Sequence, residues 1–122
     1  MDSSVALAIL LDEKGADVAL GFLPDAQCCS VNAVEIITRL IDKGRSAEQA
    51  AGDFASLGMP TAVFDGALGI AAGQLRAATK HLGLSLGDRA CLALAIQKDA
   101  TALTADRSWA DLDLGCKIEL IR

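Results

Sequence analysis

Leu84-Ser85-Leu86-Gly87-Asp88-Arg89-Ala90-Cys91-Leu92-Ala93-Leu94-Ala95, and a little further on Leu103-Thr104-Ala105-Asp106-Arg107-Ser108-Trp109, decide how the chain is read. In the first string a loop leads to Asp88 at the start of a helix that runs to about Asp99. Its apolar positions Cys91, Leu92, Leu94, Ala95 and Ile96 cover more than one face, so the helix is expected to be well buried. A short strand over Thr101 to Thr104 follows, and Asp106 sits in the loop that leaves it. An acid at each junction matters because strand and helix ends line the ligand crevice of an α/β fold.

The same grammar extends outward. A helix through Val5 to Leu11 is capped by Ser3 or Ser4, with Asp2 just before it. Lys14-Gly15 breaks it, and a short helix through Ala16 to Leu20 follows. Pro24-Asp25 marks a turn, and Gln27 to Val31 reads as a short buried strand. A helix from about Asn32 to Asp42 carries Glu35 in its first turn. Ser46 opens another helix to about Leu57, and Met59 to Phe64 reads as a strand with Pro60 at its start or on an edge. A helix from about Gly66 to Leu82 contains Gly69 and Gly73, which weaken it by roughly 1 kcal/mol each against Ala. Lys117 to Ile121 alternates polar and apolar, as an edge strand does.

The 122 residues fit a single domain spanning 1–122. Apolar residues make up 52% but aromatics only 3%, so the core is built from Ala, Leu, Ile and Val, which suits helices packed on a buried parallel sheet. The net charge of -5 argues against broad electrostatic capture of nucleic acid, though not against chemistry on it. Cys28, Cys29, Cys91 and Cys116 form no CxxC pair and His81 has no partner at ligand spacing, so zinc is not expected. Adjacent Cys28 and Cys29 would point to opposite faces of a strand. The cysteines read as reduced structural thiols of a cytoplasmic protein. No signal peptide is read, and no apolar run reaches the ~18 residues of a membrane span.

Asp2, Glu35, Asp88 and Asp106 each stand at the edge of an apolar segment. Brought together, such carboxylates repel one another and call for a cation. Hard oxygen donors with no soft ligand suit Mg²⁺ or Mn²⁺. Taken singly, each acid has a plainer reading. Asp2 and Asp88 fit as helix caps, Glu35 as an acid favoured by the helix dipole, and Asp106 as a turn initiator.

Asp2-Ser3-Ser4, Val31-Asn32-Ala33-Val34-Glu35-Ile36-Ile37, the string around Asp88 and Thr104-Ala105-Asp106-Arg107, in this order, resemble the PIN-domain ribonucleases, specifically the VapC-like toxins of toxin–antitoxin pairs. The resemblance covers essentially the whole chain. It implies a three-layer α/β/α sandwich on a mainly parallel sheet, with Asp2, Glu35, Asp88 and Asp106 as the acidic quartet. It further implies Mg²⁺- or Mn²⁺-dependent endoribonuclease activity on an RNA substrate, a cognate antitoxin protein that covers the site, and a homodimer. Asp2 and Asp88 are the expected direct metal ligands, with Glu35 and Asp106 completing the cluster or orienting the attacking water. Ser4 and Thr104 are candidates for supporting hydroxyls. Two other readings stay open: a binding module that kept the fold without the metal, and a metal phosphohydrolase acting on another phosphate ester.

Arg39, Arg76, Lys80, Arg89 and Arg107 are candidates for phosphate contacts, with Arg89 and Arg107 alternatively pairing with the neighbouring acids. Arg39, with Lys43 and Arg45, also fits a solvated helix end, and His81 fits a surface position. Trp109 either stacks on a base or packs the C-terminal loop. The family pattern carries a few apolar residues ahead of the first acid, whereas only Met1 precedes Asp2, so the first strand is expected to be truncated or very short.

Overall fold

The computed structural model describes all 122 residues. Seven helices alternate with four short strands: α1 Ser3–Leu10, α2 Ala16–Phe22, β1 Cys28–Cys29, α3 Ser30–Asp42, α4 Ala47–Ser56, β2 Thr61–Ala62, α5 Gly66–Gln74, α6 Arg76–Thr79, α7 Leu86–Gln97, β3 Ala102–Thr104 and β4 Ile118–Leu120. All pairing is parallel. β1 pairs with β2, Cys28 opposite Thr61, and β3 pairs with β4, Ala102 opposite Ile118. β4 has one strand neighbour, as the alternation of Lys117 to Ile121 suggests, and Pro60 lies just ahead of β2 on the opposite edge.

Met1 and Asp2 stand between the two strand pairs. The Met1 ammonium donates to the Gln27 carbonyl at 2.8 Å, and the Asp2 N–H donates to the Leu103 carbonyl at 2.9 Å. The chain order across the molecule is therefore β2, β1, the Met1-Asp2 segment, β3, β4. Asp2 is not frayed. It is only 3% exposed and is held from its backbone and its side chain.

Side-chain alternation shows the layers. Cys28 packs into a core with Val5, Ile36, Leu40 and Ile121, while Cys29 faces the other way, onto Leu68, Ala72, Ala90 and Leu94. Likewise Leu103 joins the first core, and Ala102 faces Leu92 and Trp109. The expected opposite orientation of the two cysteines thus holds, with α1 to α4 on one side of the strands and α5 and α7 on the other. Apolar burial on both faces drives this arrangement, as parallel strands require.

Several boundaries differ from the sequence reading. Asp2, rather than Ser3 or Ser4, caps α1, and α3 begins at Ser30, which puts Glu35 in its second turn. Ser85 caps α7 and Asp88 is the third helical residue, in a reciprocal capping box. The single helix expected over 66–82 is broken into α5, α6 and a 3₁₀ turn at Lys80–Leu82. Thr79 donates its hydroxyl back to the Leu75 carbonyl at 2.8 Å, a bond that bends helices. The glycines at 69 and 73 lower the helix's resistance to that bend. Gly15 has φ +91° and a Cβ there would lie 2.6 Å from the Ile121 carbonyl oxygen, so the break after α1 needs glycine twice over.

Candidate active site

The carboxyl ends of the strands feed one cleft of about 410 Å³, lined by Asp2, Ser3, Ser4, Leu7, Val34, Glu35, Thr38, Arg39, Ser85 and Asp88. Three elements supply its acids. Asp2 leaves the sheet and caps α1, Glu35 projects from α3, and Asp88 from the first turn of α7. A second cavity of about 240 Å³ lies behind Asp2, lined by Met1, Phe22, Cys91 and Leu103 among others. None of the four acids lines that cavity.

Each acid has one oxygen fixed by the protein. Asp2 Oδ2 accepts from Ser4 Oγ at 2.6 Å and from Thr104 Oγ1 at 3.1 Å. Glu35 Oε2 accepts from Ser3 Oγ at 2.6 Å. Asp88 Oδ2 accepts from the Ser85 N–H at 2.7 Å. Asp106 Oδ1 accepts from the Ser108 N–H at 2.8 Å. The other oxygen of each carboxylate makes no hydrogen bond to the protein. The expected supporting hydroxyls of Ser4 and Thr104 are therefore in place, and Ser3 adds a third that the sequence reading treated only as a helix cap.

Asp106 stands apart from the other three. It does not line the cleft, and its side chain caps the 3₁₀ turn Arg107–Trp109. It connects to Asp2 through Thr104, whose Oγ1 accepts from the Asp106 N–H at 3.1 Å. The quartet expected from the sequence is here three acids in one cleft and a fourth one residue removed.

Burial pushes the Asp2 carboxyl above its ordinary value, and the charge of Asp88 adds to the rise, while the hydrogen bonds from Ser4, Ser3 and Thr104 oppose it. A buried carboxylate facing a second one is a site that gains from a cation. As placed, no three Asp, Glu, His or Cys side chains close around a common point. Mg²⁺ needs only one or two protein carboxylates, because it keeps several of its waters. The free oxygens of Asp2, Asp88 and Glu35 fit such an ion by chemistry. Cys91, packed beneath the acids, is pushed by burial to about 12, so it stays a neutral thiol and offers no soft ligand.

The basic residues are placed differently from one another. Arg39 lines the cleft, is exposed and forms no ion pair. Arg89 does not pair with Asp88; its Nη1 donates to the Ala72 carbonyl at 3.1 Å and ties α7 to α5. Arg107 does not pair with Asp106; its Nε donates to the Arg122 carbonyl at 3.4 Å. Trp109 is fully buried, which settles its two readings in favour of packing. Asn32 was not singled out in the sequence. The signal was a polar residue three positions before Glu35, on the same helical face.

The carboxyl edge of this parallel α/β arrangement, where such folds bind their ligands, gathers hard oxygen donors in one cleft. Residues 1–114 match the PIN domain family, and the chain belongs to that family, whose nucleases generally use divalent metal ions. Among solved structures it is similar to that of VapBC2 from Rickettsia felis bound to a DNA fragment from their promoter. The TM-score is 0.71 at 16% identity over 97% of this chain and 94% of the other, a likeness of fold. A search of curated proteins finds no match. No helix is long and apolar enough to cross a membrane.

Proposed function

We propose that the protein is a VapC-like toxin: a Mg²⁺- or Mn²⁺-dependent endoribonuclease that hydrolyses RNA phosphodiester bonds in the cytoplasm and is neutralised by an antitoxin protein. The observation that carries this reading is the shared cleft of Asp2, Glu35 and Asp88, each with one oxygen held and one free. Family membership and the likeness to VapBC2 support the same assignment.

Asp2 and Asp88 would hold the metal, with Glu35 beside them, and Asp106 would act from the Thr104 side. When bound, the ion supplies an activated water and stabilises charge on the phosphate. The residues of the chain do the rest. Ser4 and Thr104 keep Asp2 oriented, Ser3 keeps Glu35 oriented, and the Ser85 N–H fixes Asp88. Arg39 on the cleft wall is suited to meet an RNA phosphate. Exposed Val34, in the cleft lining, and exposed Leu86, next to Gly87 and Asp88 on α7, form an apolar margin that suits a covering antitoxin. Exposed Val63 and Ile70 lie away from the cleft and suit a homodimer contact.

One observation favours a second reading, a binding module without metal: three of the four acids also serve as helix or turn caps, and no three-acid cage is closed. Calorimetric titration with Mn²⁺ separates the two. The nuclease reading expects binding that Asp88→Asn weakens by about 10-fold or more, together with cleavage of a structured RNA panel that Asp88→Asn abolishes. Native-like cleavage by Asp88→Asn would reject the mechanism. For the toxin role, the product of an adjacent small gene should co-purify with the protein and suppress that cleavage.

A further inference from the structure

We propose that Asn32 is the positioning residue for Glu35, joining the three acid-bearing helices so that one Glu35 oxygen is locked and the other is left for the cleft. The proposal rests on the reading of that cleft as a metal site. Asn32 is fully buried. Its Nδ2 donates to the Gly87 carbonyl at 3.1 Å, to Ser3 Oγ at 3.1 Å and, more weakly, to Glu35 Oε2 at 3.4 Å. These partners lie on α7, α1 and α3 respectively.

The amide can sit only one way round. Its nitrogen faces three oxygens, and turning it over would set an acceptor against two that cannot donate, the Gly87 carbonyl and the Glu35 carboxylate, while the Ser3 hydroxyl already donates to Glu35 Oε2. The present orientation leaves Asn32 Oδ1 buried with no partner. A buried acceptor without a donor costs about 1 to 3 kcal/mol. A merely structural role would be served as well by an apolar residue that fits, so retaining an orphaned oxygen here points to the donor side of the amide as the useful side.

Gly87 completes the bracket from the opposite direction. A Cβ at position 87 would fall on the Glu35 carboxyl group itself, in contact with Oε1, Oε2 and Cδ. The Glu35 carboxylate therefore lies flat against the α7 backbone, one residue before Asp88. Ser3 Oγ and Asn32 Nδ2 hold Oε2, the Gly87 backbone forms the wall behind the group, and Oε1 carries no protein hydrogen bond. The result couples the place of Glu35 to that of Asp88 through two short links.

A double-mutant cycle on Mn²⁺ affinity, read by calorimetry, tests this. Asn32→Leu should weaken Mn²⁺ binding about 10-fold or more, and in a Glu35→Ala background the same change should cost nothing further. Equal losses in both backgrounds would show that Asn32 acts on the fold rather than through Glu35. Gly87→Ala is the second variant, for use if Asn32→Leu fails to fold; it displaces the carboxylate without touching Asn32 and should give a similar loss, while native affinity would overturn the bracket. If the native protein binds no Mn²⁺, the metal reading fails separately. The bracket is then read from the Asn32 side-chain amide signals in a ¹H–¹⁵N spectrum. Slow solvent exchange and a shift on Ser3→Ala and on Glu35→Ala are expected; rapid exchange with no shift would overturn it.

Discussion

Thr104 and Asp2 are joined side chain to side chain, Oγ1 to Oδ2 at 3.1 Å, across 102 residues of sequence and with both groups buried. The same hydroxyl accepts from the Asp106 N–H, so one small side chain fixes the most buried acid and the loop that carries the fourth. Thr104→Val keeps the shape and removes both bonds. It should destabilise the protein by about 1 to 3 kcal/mol, the cost of stranding buried polar groups. Thr104→Ser should recover most of that loss. Urea unfolding of the three proteins measures it.

Asp2 makes the stability of the metal-free protein depend on pH in a particular direction. Its folded-state carboxyl titrates above its unfolded value of 3.8, chiefly because it is buried. Between those two values the folded state holds the proton more tightly than the unfolded state does. Stability from this group therefore falls as pH rises through the folded value and is regained on acidification towards 3.8. Asp2→Asn should flatten that part of the curve, since Asn also caps helices. Saturating Mg²⁺ should oppose the loss at neutral pH. Unfolding midpoints across pH 4 to 8, with and without the ion, would show an unchanged slope in Asp2→Asn if the assignment were wrong.

Asp88 contributes to the rise at Asp2 by charge repulsion. Asp88→Asn retains an acceptor for the Ser85 N–H while removing that charge. The variant should be at least as stable as the native protein at pH 7 without metal, yet should lose Mg²⁺-dependent stabilisation. This exchange of stability for function is expected where like charges are held together to receive a cation. Thermal melts with and without 10 mM Mg²⁺ would measure both effects.

Trp109 is a packing residue with one flaw, an indole Nε1 that is buried and has no partner. Trp109→Phe removes that unsatisfied donor and some volume, two effects of opposite sign, so a change below about 1.5 kcal/mol is expected. Trp109→Ala should cost about 3 to 5 kcal/mol. RNA affinity of the Phe variant should equal that of the native protein; a marked loss would revive a stacking role.

Arg39 is the basic residue lining the cleft and is free of ion pairs. Arg39→Ala should raise KM for RNA several-fold with little change in kcat, and the native protein's affinity should weaken with salt more steeply than the variant's. Equal salt slopes would remove Arg39 from the phosphate-binding surface.

Much of the fold could be read from punctuation and pattern. Pro24, Gly44, Gly58 and Gly83 follow elements near where the structure ends them, Gly15 opens α2, and the cysteine pair announced a strand buried on both faces. Strand lengths were overread at β1 and β2, where the flanking apolar residues Val31, Met59 and Val63 belong to a helix start or to loops in which the ladder has stopped. The acids were legible as a group from their local strings. What each does was not, because the pinning of an oxygen depends on partners far away in sequence: Ser3 meets Glu35 across 32 residues, and Asn32 meets Gly87 across 55. The failure of Arg89 and Arg107 to pair with the adjacent acids has the same origin. Their neighbours in sequence are already committed to caps, and the carbonyls of Ala72 and Arg122 are brought to them by tertiary packing.

The two-residue strand Cys28–Cys29 gives one side chain to each face of the sheet and passes directly into α3. It has no slack. Adding or deleting one residue there would exchange the layers to which its neighbours belong. It would also turn α3 by about 100° relative to the sheet, since 3.6 residues make a turn, and carry Glu35 off the cleft. Over evolutionary time this junction should accept substitutions of size and polarity far more readily than any change of length.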